Sequence, residues 1–323
     1  MKNKLIVIVG PNASGKSEIA VMIAKKFNGE VVSADSRQVY KGMDIGSGKI
    51  TKKEMAGIRH HLLDVAAPRS VFTVTRYRKL ALAAIKKIQK SDKIPILCGG
   101  TGFYVQSVID GIVIPEVKPD WKLRKNLERK TVAELFAILK KLDPRRARTI
   151  ESKNPRRLIR AIEIVKTTKK PVPELKKQPL PYPILIIGIK KSETELKKLI
   201  AKRTEKRLKA GMTGEVKKLK ESGLSWNKLE SFGLEYRACA QFLQKKITRT
   251  EMIENIKKED WQYAKRQIMW FKRDARVRWI KNKTQATALA KKYFSKRFLN
   301  KKTANTAKSE KMGRRKAAAA NGV

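Results

Sequence analysis

The sequence predicts an α/β fold that combines a mainly parallel sheet with an α-helical insertion and a helical C-terminal region. Short apolar runs at residues 5–9, 31–35, 94–98 and 184–189 have the length and aliphatic composition of strands buried in a sheet. Stretches with helical spacing separate the first three runs, which is the alternation expected of parallel strands. No such run occurs between residues 115 and 182, so that segment is predicted as a helical insertion.

The first predicted strand runs directly into a complete match to the pattern G-x-x-x-x-G-K-[ST]. Apolar residues at helical spacing follow, from Ile19 to Phe27, so the motif joins a strand to a helix. There the backbone N–H groups and the helix N-terminus form a site for phosphate oxygens. Lys16 adds a positive charge, and the Ser17 hydroxyl can ligate Mg²⁺. The predicted phosphate- or diphosphate-binding residues are Gly10, Pro11, Asn12, Ala13, Ser14, Gly15, Lys16 and Ser17.

The charge of the chain is its most unusual bulk property, because 77 Lys and Arg against 29 Asp and Glu give +48 over 323 residues. Such an excess favours a polyanionic partner, and the alternative is a generally basic surface. No apolar run approaches the roughly 20 residues of a membrane span. We expect no signal peptide, because a strand begins at once. Cys98 and Cys239, with His60 and His61, match no usual zinc spacing, and the chain is predicted to be cytoplasmic.

Polar residues follow the second and third predicted strands. Asp35 ends the run at residues 31–35 and precedes a Gly-rich segment at residues 42–49. Thr101 lies in a Gly-rich step after the run at residues 94–98. Because ligands bind beyond the carboxyl ends of parallel strands, both residues are expected at the same edge as the phosphate loop. The structural alternatives are a turn or helix cap for Asp35 and an N-cap for Thr101.

The second half of the chain is rich in arginine. In the helix expected after residues 184–189, Arg203 and Arg207 are four residues apart and therefore share one face. Residues 261–273 interleave aromatic and cationic side chains, which suits stacking on bases and contact with phosphates. The alternatives are a solvated basic face for the pair and an amphipathic core helix for the longer stretch. The inserted segment carries further arginines: Arg124, Arg145, Arg146, Arg148, Arg156, Arg157 and Arg160.

Changes in composition divide the chain into four segments. Residues 1–114 are predicted as the first part of the α/β core, and residues 115–182 as the helical insertion, which ends in a proline-rich linker. Residues 183–280 are predicted to return to the core with C-terminal helices. Residues 281–323 are rich in Lys, Ala, Asn and Thr and are predicted as a basic, largely disordered tail.

Five sequence blocks, read together, resemble the tRNA dimethylallyltransferase (tRNA isopentenyltransferase) family over roughly residues 4–280. They occur in the family's order and are GPNASGKS, DSRQVYKGMDIGSGK, GGTGFYVQSVIDG, NPRRLIRAIEI and QYAKRQIMWFKRD. The fold implied by the resemblance is a P-loop kinase-like core with a helical insertion that grips the anticodon stem of tRNA. No cysteine follows Cys239, so the zinc finger of the eukaryotic members is absent and the chain is similar to the short bacterial form.

The resemblance also implies a reaction. The donor is dimethylallyl diphosphate, the acceptor is N6 of the adenine at position 37 of tRNA, next to the anticodon, and Mg²⁺ assists. Asp35 matches the family's general base, and Thr101 matches a threonine that contacts substrate near the diphosphate channel. Arg203 or Arg207 matches the arginine that stabilises charge on the leaving diphosphate, and spacing does not choose between them. The implied partners are tRNA and the allylic diphosphate, with no membrane, and the protein is expected to be a monomer.

By resemblance, the residues that line the RNA path in the family are assigned to the matching positions of this sequence. One step departs from the family, which usually has glycine where this chain has Glu235. The residues assigned to tRNA binding by resemblance are Asp35, Ser36, Arg37, Gln38, Thr101, Arg124, Arg156, Arg157, Arg160, Phe232, Gly233, Tyr236 and Arg237.

Three other functions stay open at the level of sequence. An adenylate isopentenyltransferase would prenylate a free nucleotide, although the basic insertion and residues 261–273 favour RNA. A P-loop nucleotide kinase would transfer a phosphoryl group instead of a prenyl group. A non-catalytic RNA-binding protein would keep the fold without needing Asp35.

Overall fold

The computed structural model describes residues 3–112, 117–174 and 177–295. The strands in these ranges are β1 (Leu5–Val9), β2 (Gly29–Ser33), β3 (His60–His61), β4 (Ile94–Cys98), β5 (Ile184–Ile189) and β6 (Val277–Ile280). They form a six-stranded sheet in the order β3-β2-β4-β1-β5-β6, and every pairing is parallel. The predicted α/β fold with a mainly parallel sheet is therefore confirmed.

Helices cover both faces of the sheet and make up the insertion. Those before the insertion are α1 (Lys16–Lys26), α2 (Lys52–Met55), α3 (Val74–Lys90) and α4 (Gly102–Ile109). The insertion contains α5 (Trp121–Leu127), α6 (Val132–Leu142), α7 (Pro144–Thr149) and α8 (Pro155–Thr168). After β5 come α9 (Glu193–Lys209), α10 (Met212–Glu221), α11 (Trp226–Ser231), α12 (Leu234–Leu243), α13 (Arg249–Lys272) and α14 (Lys283–Phe294). Within the described ranges, no helix is both long and apolar enough to cross a membrane.

Strand β1 lies inside the sheet, and all of its residues are buried. Leu5, Val7 and Val9 face a core layer that includes α3, α4 and α10–α13, whereas Ile6 and Ile8 face α1 and α14. This division follows from the two-residue period of a strand. Burial on both faces explains why the run contains no polar residue, and this feature makes it recognisable in the sequence.

The register of the inner strands brings three segments to one edge of the sheet. Ile8 of β1 lies opposite Cys98 of β4, and Ser33 of β2 lies opposite the same Cys98. The residues that follow these strands therefore emerge together. As a result, the phosphate loop, the segment after Ser33 and the segment after Cys98 lie at the carboxyl edge, where parallel sheets bind ligands.

The described residues divide into two compact units. The first consists of those within Met1–Ile109 and Leu180–Val323, and the second of those within Asp110–Pro179. The second unit holds α5 to α8 around an apolar core that includes Leu135, Leu139 and Leu158. Sequence patterns placed the helical insertion at residues 115–182, in the same part of the chain.

Helices α9 and α13 carry several residues of the site and begin with clear capping signals. Ser192 accepts the N–H of Glu195 at the start of α9. Thr248 and Glu251 form a capping box at the start of α13. These caps satisfy N–H groups that the first turn leaves unpaired, and they fix where each helix begins.

Three strand predictions differ from the structure. The run at residues 31–35 forms β2 two residues earlier, so Asp35 lies beyond the strand. Strand β3 falls in a stretch for which no strand was predicted, and β6 falls in a stretch predicted to be helical. Both are short strands at the two edges of the sheet. Runs of two and four residues are too short to show a period, and neighbouring strands decide their conformation.

The prediction that the disordered tail begins at residue 281 is wrong for its first part. Asn282 caps α14 by accepting the N–H of Gln285, and Ala286, Ala290 and Tyr293 are buried against the sheet. These residues recur at helical spacing, but the abundant lysine around them hides the narrow apolar stripe. The remainder of the predicted tail, residues 296–323, lies outside the described residues.

Candidate functional site

A cavity of about 500 Å³ opens at the carboxyl edge of the sheet. Its wall brings together the phosphate loop, Asp35, Gln38, Gly48 and Arg203, with Cys98 from the end of β4. All of these belong to the first compact unit. Residues that lie far apart in the sequence therefore line one open cavity.

Two side-chain hydrogen-bond donors of the phosphate loop have few or no partners in the rest of the described protein. Gly15 adopts φ +86°, a left-handed conformation, at the N-cap of α1. The Ser14 hydroxyl is buried and has no hydrogen-bond partner among the described residues. Lys16 Nζ donates to the carbonyl oxygen of Pro11 at 2.6 Å, within its own loop. A buried hydroxyl without a partner and a lysine bonded only to its loop indicate a site shaped for an anion.

Burial lowers the pKa of Lys16, and the nearby Cys98 and Asp35 oppose that shift. Burial also raises the pKa of the Cys98 thiol to about 12. Cys98 therefore lines the cavity as a neutral thiol at neutral pH, not as a nucleophilic thiolate. An anion next to Lys16 would favour its charged form, so ligand binding and lysine charge support each other.

Asp35 lines the cavity and also shapes its own turn. Its Oδ1 accepts the backbone N–H groups of Arg37 at 2.8 Å and Gln38 at 3.3 Å. The same side chain therefore stabilises a turn and lies at the cavity, where a base is expected. Thr101 uses its hydroxyl to accept the N–H of Ser36 at 3.1 Å, so it links the segments that follow β2 and β4.

Burial, reinforced by the nearby Asp35, raises the pKa of Tyr263 of α13 to about 12, and the neighbouring Thr101 opposes that shift. Tyr263 therefore lies beside the segment that follows β4.

The two candidate arginines of α9 have different surroundings. Arg203 lines the cavity, and its Nη1 donates to Asn12 Oδ1 at 2.9 Å. Arg207 is only 7% exposed and forms an ion pair with the buried carboxylate of Glu235. Gly48, at φ +60°, allows the loop backbone to approach both guanidinium groups, because a Cβ at that position would overlap them. The structure thus places Arg203 at the cavity and gives Arg207 an internal carboxylate partner.

Two buried polar residues of α13, Asp260 and Gln267, anchor the phosphate loop, and neither was predicted as a site residue. Gln267 Oε1 accepts the N–H of Asn12 at 2.7 Å, and Gln267 Nε2 donates to the carbonyl oxygen of Gly100 at 3.0 Å. Asp260 Oδ1 accepts from Asn12 Nδ2 at 2.9 Å. Burial, reinforced by the nearby Glu235, raises the pKa of Asp260 to about 8. The feature of the sequence that could have identified them is that they are polar residues, seven positions apart, on the buried stripe of an amphipathic helix.

One carboxylate binds three successive backbone N–H groups of the Gly-rich segment at residues 42–49. Glu215 of α10 accepts the backbone N–H groups of Asp44 at 2.8 Å, Ile45 at 2.7 Å and Gly46 at 3.0 Å. Tyr236 donates its hydroxyl to the same carboxylate at 2.8 Å. Successive N–H groups that converge on one anion form a nest, and here the anion is a side chain of the protein.

The residues around Phe232, which are predicted to line an RNA path, include two aromatic side chains that are buried. Phe232 is 4% exposed and Tyr236 is 1% exposed, and both side chains belong to the hydrophobic core. Arg37 Nε donates to the carbonyl oxygen of Phe232 at 2.7 Å. Arg237 is half-buried and pairs with Glu259 at 3.2 Å, and Gly233 adopts φ +74° before α12. In contrast to the buried Phe232 and Tyr236, the side chains of Arg37 and Arg237 are partly exposed to solvent.

The arginines of the insertion that are predicted to bind RNA fall into two groups, those bound to a buried carboxylate and those exposed to solvent. Arg124 binds the fully buried Glu163 through two hydrogen bonds of 2.8 Å, and Arg160 binds the same carboxylate. Although burial opposes it, the hydrogen bonds from these two arginines lower the pKa of Glu163 below its usual value. Arg156 and Arg157 are exposed, and Arg157 pairs with Glu151 at 2.9 Å. Arg124 and Arg160 therefore have a structural role whether or not they contact RNA.

The fold and the site define a class of protein. A parallel sheet with a complete phosphate loop after an inner strand, and with a cavity beyond it that contains Lys16 and Arg203, is a P-loop α/β protein built to bind a phosphorylated ligand. A family model described as IPP transferase matches residues 38–274. The chain belongs to the IPP transferase family and is a transferase, which confirms the resemblance seen in the sequence.

Relatives support this assignment along nearly the whole chain. The chain is 39% identical to the tRNA dimethylallyltransferase of Acetivibrio thermocellus over 286 residues, which cover 86% of this chain and 91% of the relative. It is 39% identical to the tRNA dimethylallyltransferase of Halalkalibacterium halodurans over 289 residues, which cover 87% and 91%.

Solved structures are similar as well. The full-length tRNA isopentenylpyrophosphate transferase of Bacillus halodurans is 34% identical, with a TM-score of 0.68 over 96% of this chain and 99% of that chain. A eukaryotic dimethylallyltransferase, described as acting on tRNA, is 29% identical, with a TM-score of 0.71 over 84% of this chain and 70% of that chain.

Proposed function

We propose that this protein transfers a dimethylallyl group from dimethylallyl diphosphate to N6 of the adenine at position 37 of tRNA. The bond between the allylic carbon and the diphosphate oxygen breaks, a bond from N6 to that carbon forms, and N6 loses one proton. The products are N6-(dimethylallyl)adenosine in tRNA and pyrophosphate. The observation that carries the proposal is the single cavity that contains the phosphate loop, the Asp35 carboxylate and the Arg203 guanidinium.

The residues of the phosphate loop are proposed to bind the diphosphate. Backbone N–H groups at the start of α1, the Ser14 hydroxyl and Lys16 are donors suited to phosphate oxygens. Charge accumulates on the diphosphate as the allylic carbon departs, so Lys16 and Arg203 would interact more strongly with the transition state than with the bound substrate.

Asp35 is proposed to accept the proton of the adenine amino group. The hydrogen bonds from Arg37 and Gln38 hold its carboxylate in place at the cavity wall. An exocyclic amine is a weak nucleophile, so a fixed acceptor and a fixed electrophile contribute through orientation as well as proton transfer. The adenine must leave its stack to reach this cavity. Thr101, which orders the segment after Asp35, is proposed to contact the substrate at the same edge.

The residues at the cavity fit a magnesium ion. Ser17 lines the cavity at the start of α1, and a hydroxyl oxygen suits this hard cation. Among the described residues there is no cluster of three or more His, Cys, Asp or Glu side chains, and Mg²⁺ is commonly held by few protein ligands together with substrate phosphates. When bound, the ion would neutralise charge on the departing diphosphate.

We further propose that the protein acts as a cytoplasmic monomer that binds the anticodon stem-loop with the basic surface of its insertion. The exposed Arg156 and Arg157, and the net charge of +48, suit a polyanionic substrate.

A labelling experiment separates this reaction from its alternatives. The purified protein is incubated with Mg²⁺ and dimethylallyl diphosphate labelled in the prenyl group, together with unmodified tRNA or with AMP. We expect label in tRNA, which mass spectrometry of nucleosides assigns to N6-(dimethylallyl)adenosine. A tRNA with guanosine at position 37 is the matched control and should remain unlabelled. Label on AMP alone would establish an adenylate isopentenyltransferase, and no label on either acceptor would contradict prenyl transfer.

A further inference from the structure

Asn12 is bound at each of its side-chain polar groups and at its backbone N–H by a different residue. Gln267 accepts the backbone N–H at 2.7 Å, Asp260 accepts from Nδ2 at 2.9 Å, and Arg203 donates to Oδ1 at 2.9 Å. Asn12 is the third residue of the phosphate loop and lines the cavity. Two residues of α13 and one of α9 therefore hold one point of the loop.

The orientation of the Asn12 amide follows from the chemistry of its partners. Arginine has only donors, so the atom facing Arg203 must be the amide oxygen. The amide nitrogen then faces Asp260, which supplies an acceptor in either protonation state. Through this one amide, Asp260 fixes both the phosphate loop and the direction of Arg203 at the cavity wall.

The surroundings of Asp260 disfavour its ionised form. Its side chain is 1% exposed. The charged groups around it are Glu235 from α12, Arg207 from α9 and the adjacent Glu259 on α13. Arg207 is already paired with Glu235, so its charge is shared. With Asp260 neutral, the buried group of Arg207, Glu235 and Asp260 has no net charge, and ionisation makes it negative behind a site for anions.

We propose that Asp260 is a positioning residue, which holds the phosphate loop through Asn12 and weakens diphosphate binding when it loses its proton to solvent. The inference deepens the proposed function and rests on it in one respect, namely that the cavity takes a diphosphate. Asp260 does not touch the reacting atoms. It acts on the ligand through Asn12 and through its charge.

The pH range follows from the direction of the shift. The pKa of Asp260 lies at about 8 in the folded protein, above the 3.8 that is usual for an aspartate. The folded protein thus binds one more proton than the unfolded chain between these values, so this residue's contribution to stability falls as pH rises from about 4 to about 8. Affinity for a diphosphate should fall as pH rises through and above about 8, where Asp260 of the folded protein loses its proton, because binding and protonation affect each other reciprocally.

The experiment titrates inorganic pyrophosphate in MgCl₂ into the full-length protein by calorimetry at pH 6.5 and pH 9. Four proteins are compared: the wild type, Asp260→Asn, Asp260→Ala and Glu254→Gln. Asp260→Asn keeps an acceptor for Asn12 without a charge. Glu254→Gln removes a negative charge from the exposed face of the same helix. Lys16 and pyrophosphate titrate alike in all four, so differences between proteins isolate Asp260.

We expect the affinity of the wild type to fall between pH 6.5 and pH 9 by about tenfold more than that of Asp260→Asn. Glu254→Gln should follow the wild type. At pH 6.5, Asp260→Asn should bind within about twofold of the wild type, and Asp260→Ala should bind about tenfold more weakly, because Asn12 Nδ2 then has no acceptor. Thermal melting of each variant controls for loss of fold.

Two results would overturn the inference alone, and a third would remove it together with the proposed function. If the wild type transfers the prenyl group and Asp260→Asn shows the same pH dependence as the wild type, ionisation of Asp260 has no effect and only the proposed function stands. If Asp260→Ala is folded and binds pyrophosphate as the wild type does, the contact with Asn12 does not position the loop. Failure of the wild type both to bind pyrophosphate and to transfer the prenyl group would remove the proposed function and this inference together.

Discussion

At the scale of single residues, Asp35 both stabilises its own turn and lines the cavity, two placements that the sequence presented as alternatives. Its Oδ1 accepts the N–H groups of Arg37 and Gln38, and its side chain lines the cavity that also contains Lys16. Rotation away from the cavity would break both hydrogen bonds, so the turn keeps the carboxylate in place. Its position directly after a strand of a parallel sheet is a local property, and for that reason the sequence was sufficient to select it.

Replacement of Asp35 by asparagine should reduce turnover and leave tRNA affinity almost unchanged. Asparagine keeps an oxygen for the N–H of Arg37 but cannot take the proton of N6, so kcat should fall roughly 10²- to 10⁴-fold. Steady-state kinetics and a tRNA binding titration measure the two quantities. A loss of affinity with normal turnover would show that Asp35 has a structural role only.

Arg203 and Arg207 should respond differently to replacement by alanine. Arg207→Ala leaves Glu235 buried without its cation, which should lower the free energy of unfolding by about 3–5 kcal/mol. Arg203→Ala removes a half-buried cation from the cavity wall, so pyrophosphate affinity should fall while stability changes by only about 1 kcal/mol. Urea denaturation and pyrophosphate titration measure these effects. An equal loss of stability in the two variants would contradict the division between them.

At the scale of elements, α10 fixes the Gly-rich segment at residues 42–49 next to the site. Glu215 accepts three successive backbone N–H groups, and Gly48 at the end of the segment lies against the arginines of α9. The sequence marked this segment as Gly-rich, but it did not indicate the carboxylate that holds it. Glu215 lies about 170 residues further along the chain, and no local pattern connects the two.

Glu215→Gln should loosen this segment. A glutamine offers one acceptor oxygen, and its amide group would face N–H donors, so the loss should be about 1.5–3 kcal/mol of stability. Hydrogen exchange of the amides of residues 44–46 should become faster. Glu221→Gln, on the same helix but exposed, is the matched control and should change neither quantity. Unchanged exchange in Glu215→Gln would mean that other contacts hold the segment.

At the scale of the whole molecule, α14 completes the sheet layer that also contains α1. Tyr293 is 2% exposed, and its burial with Ala286 and Ala290 covers the sheet on the side of Ile6 and Ile8. Lysine-rich composition favoured a disordered tail, whereas the fold uses the first part of that segment as a core helix. Composition averages over a segment, and three buried positions in a helix of twelve residues are enough to anchor it.

Two truncations should therefore behave differently. A chain that ends after Ser295 should keep its melting temperature, because α14 is intact. A chain that ends after Ile280 exposes the sheet, and the loss of Tyr293 alone should cost on the order of 3–5 kcal/mol. Thermal melting of both chains beside the full-length protein measures this. Equal melting temperatures for both chains would show that α14 contributes nothing to stability.

The rest of the predicted tail should contribute to tRNA binding through charge. Residues 301–323 contain seven Lys and Arg and one Glu. Their removal should weaken tRNA binding at low salt and have little effect at high salt, because release of counterions drives this kind of contact. Binding titrations over a range of KCl concentrations measure the slope. A tail of equal length with its seven cations replaced by glutamine is the control and should match the deletion. A loss of affinity that does not depend on salt would contradict a purely electrostatic role.

The sequence by itself determined the fold class, the phosphate loop and the position of Asp35 at the carboxyl edge. These features depend on contiguous residues, whose spacing and burial pattern can be read without knowing what packs against them. Only the tertiary structure decided that Arg203 lines the cavity while Arg207 pairs with Glu235. It also decided that Asn12 is bound by Asp260 and Gln267, which lie 248 and 255 residues away. Buried polar groups take the partners that packing brings within hydrogen-bond distance, and no sequence period records that choice.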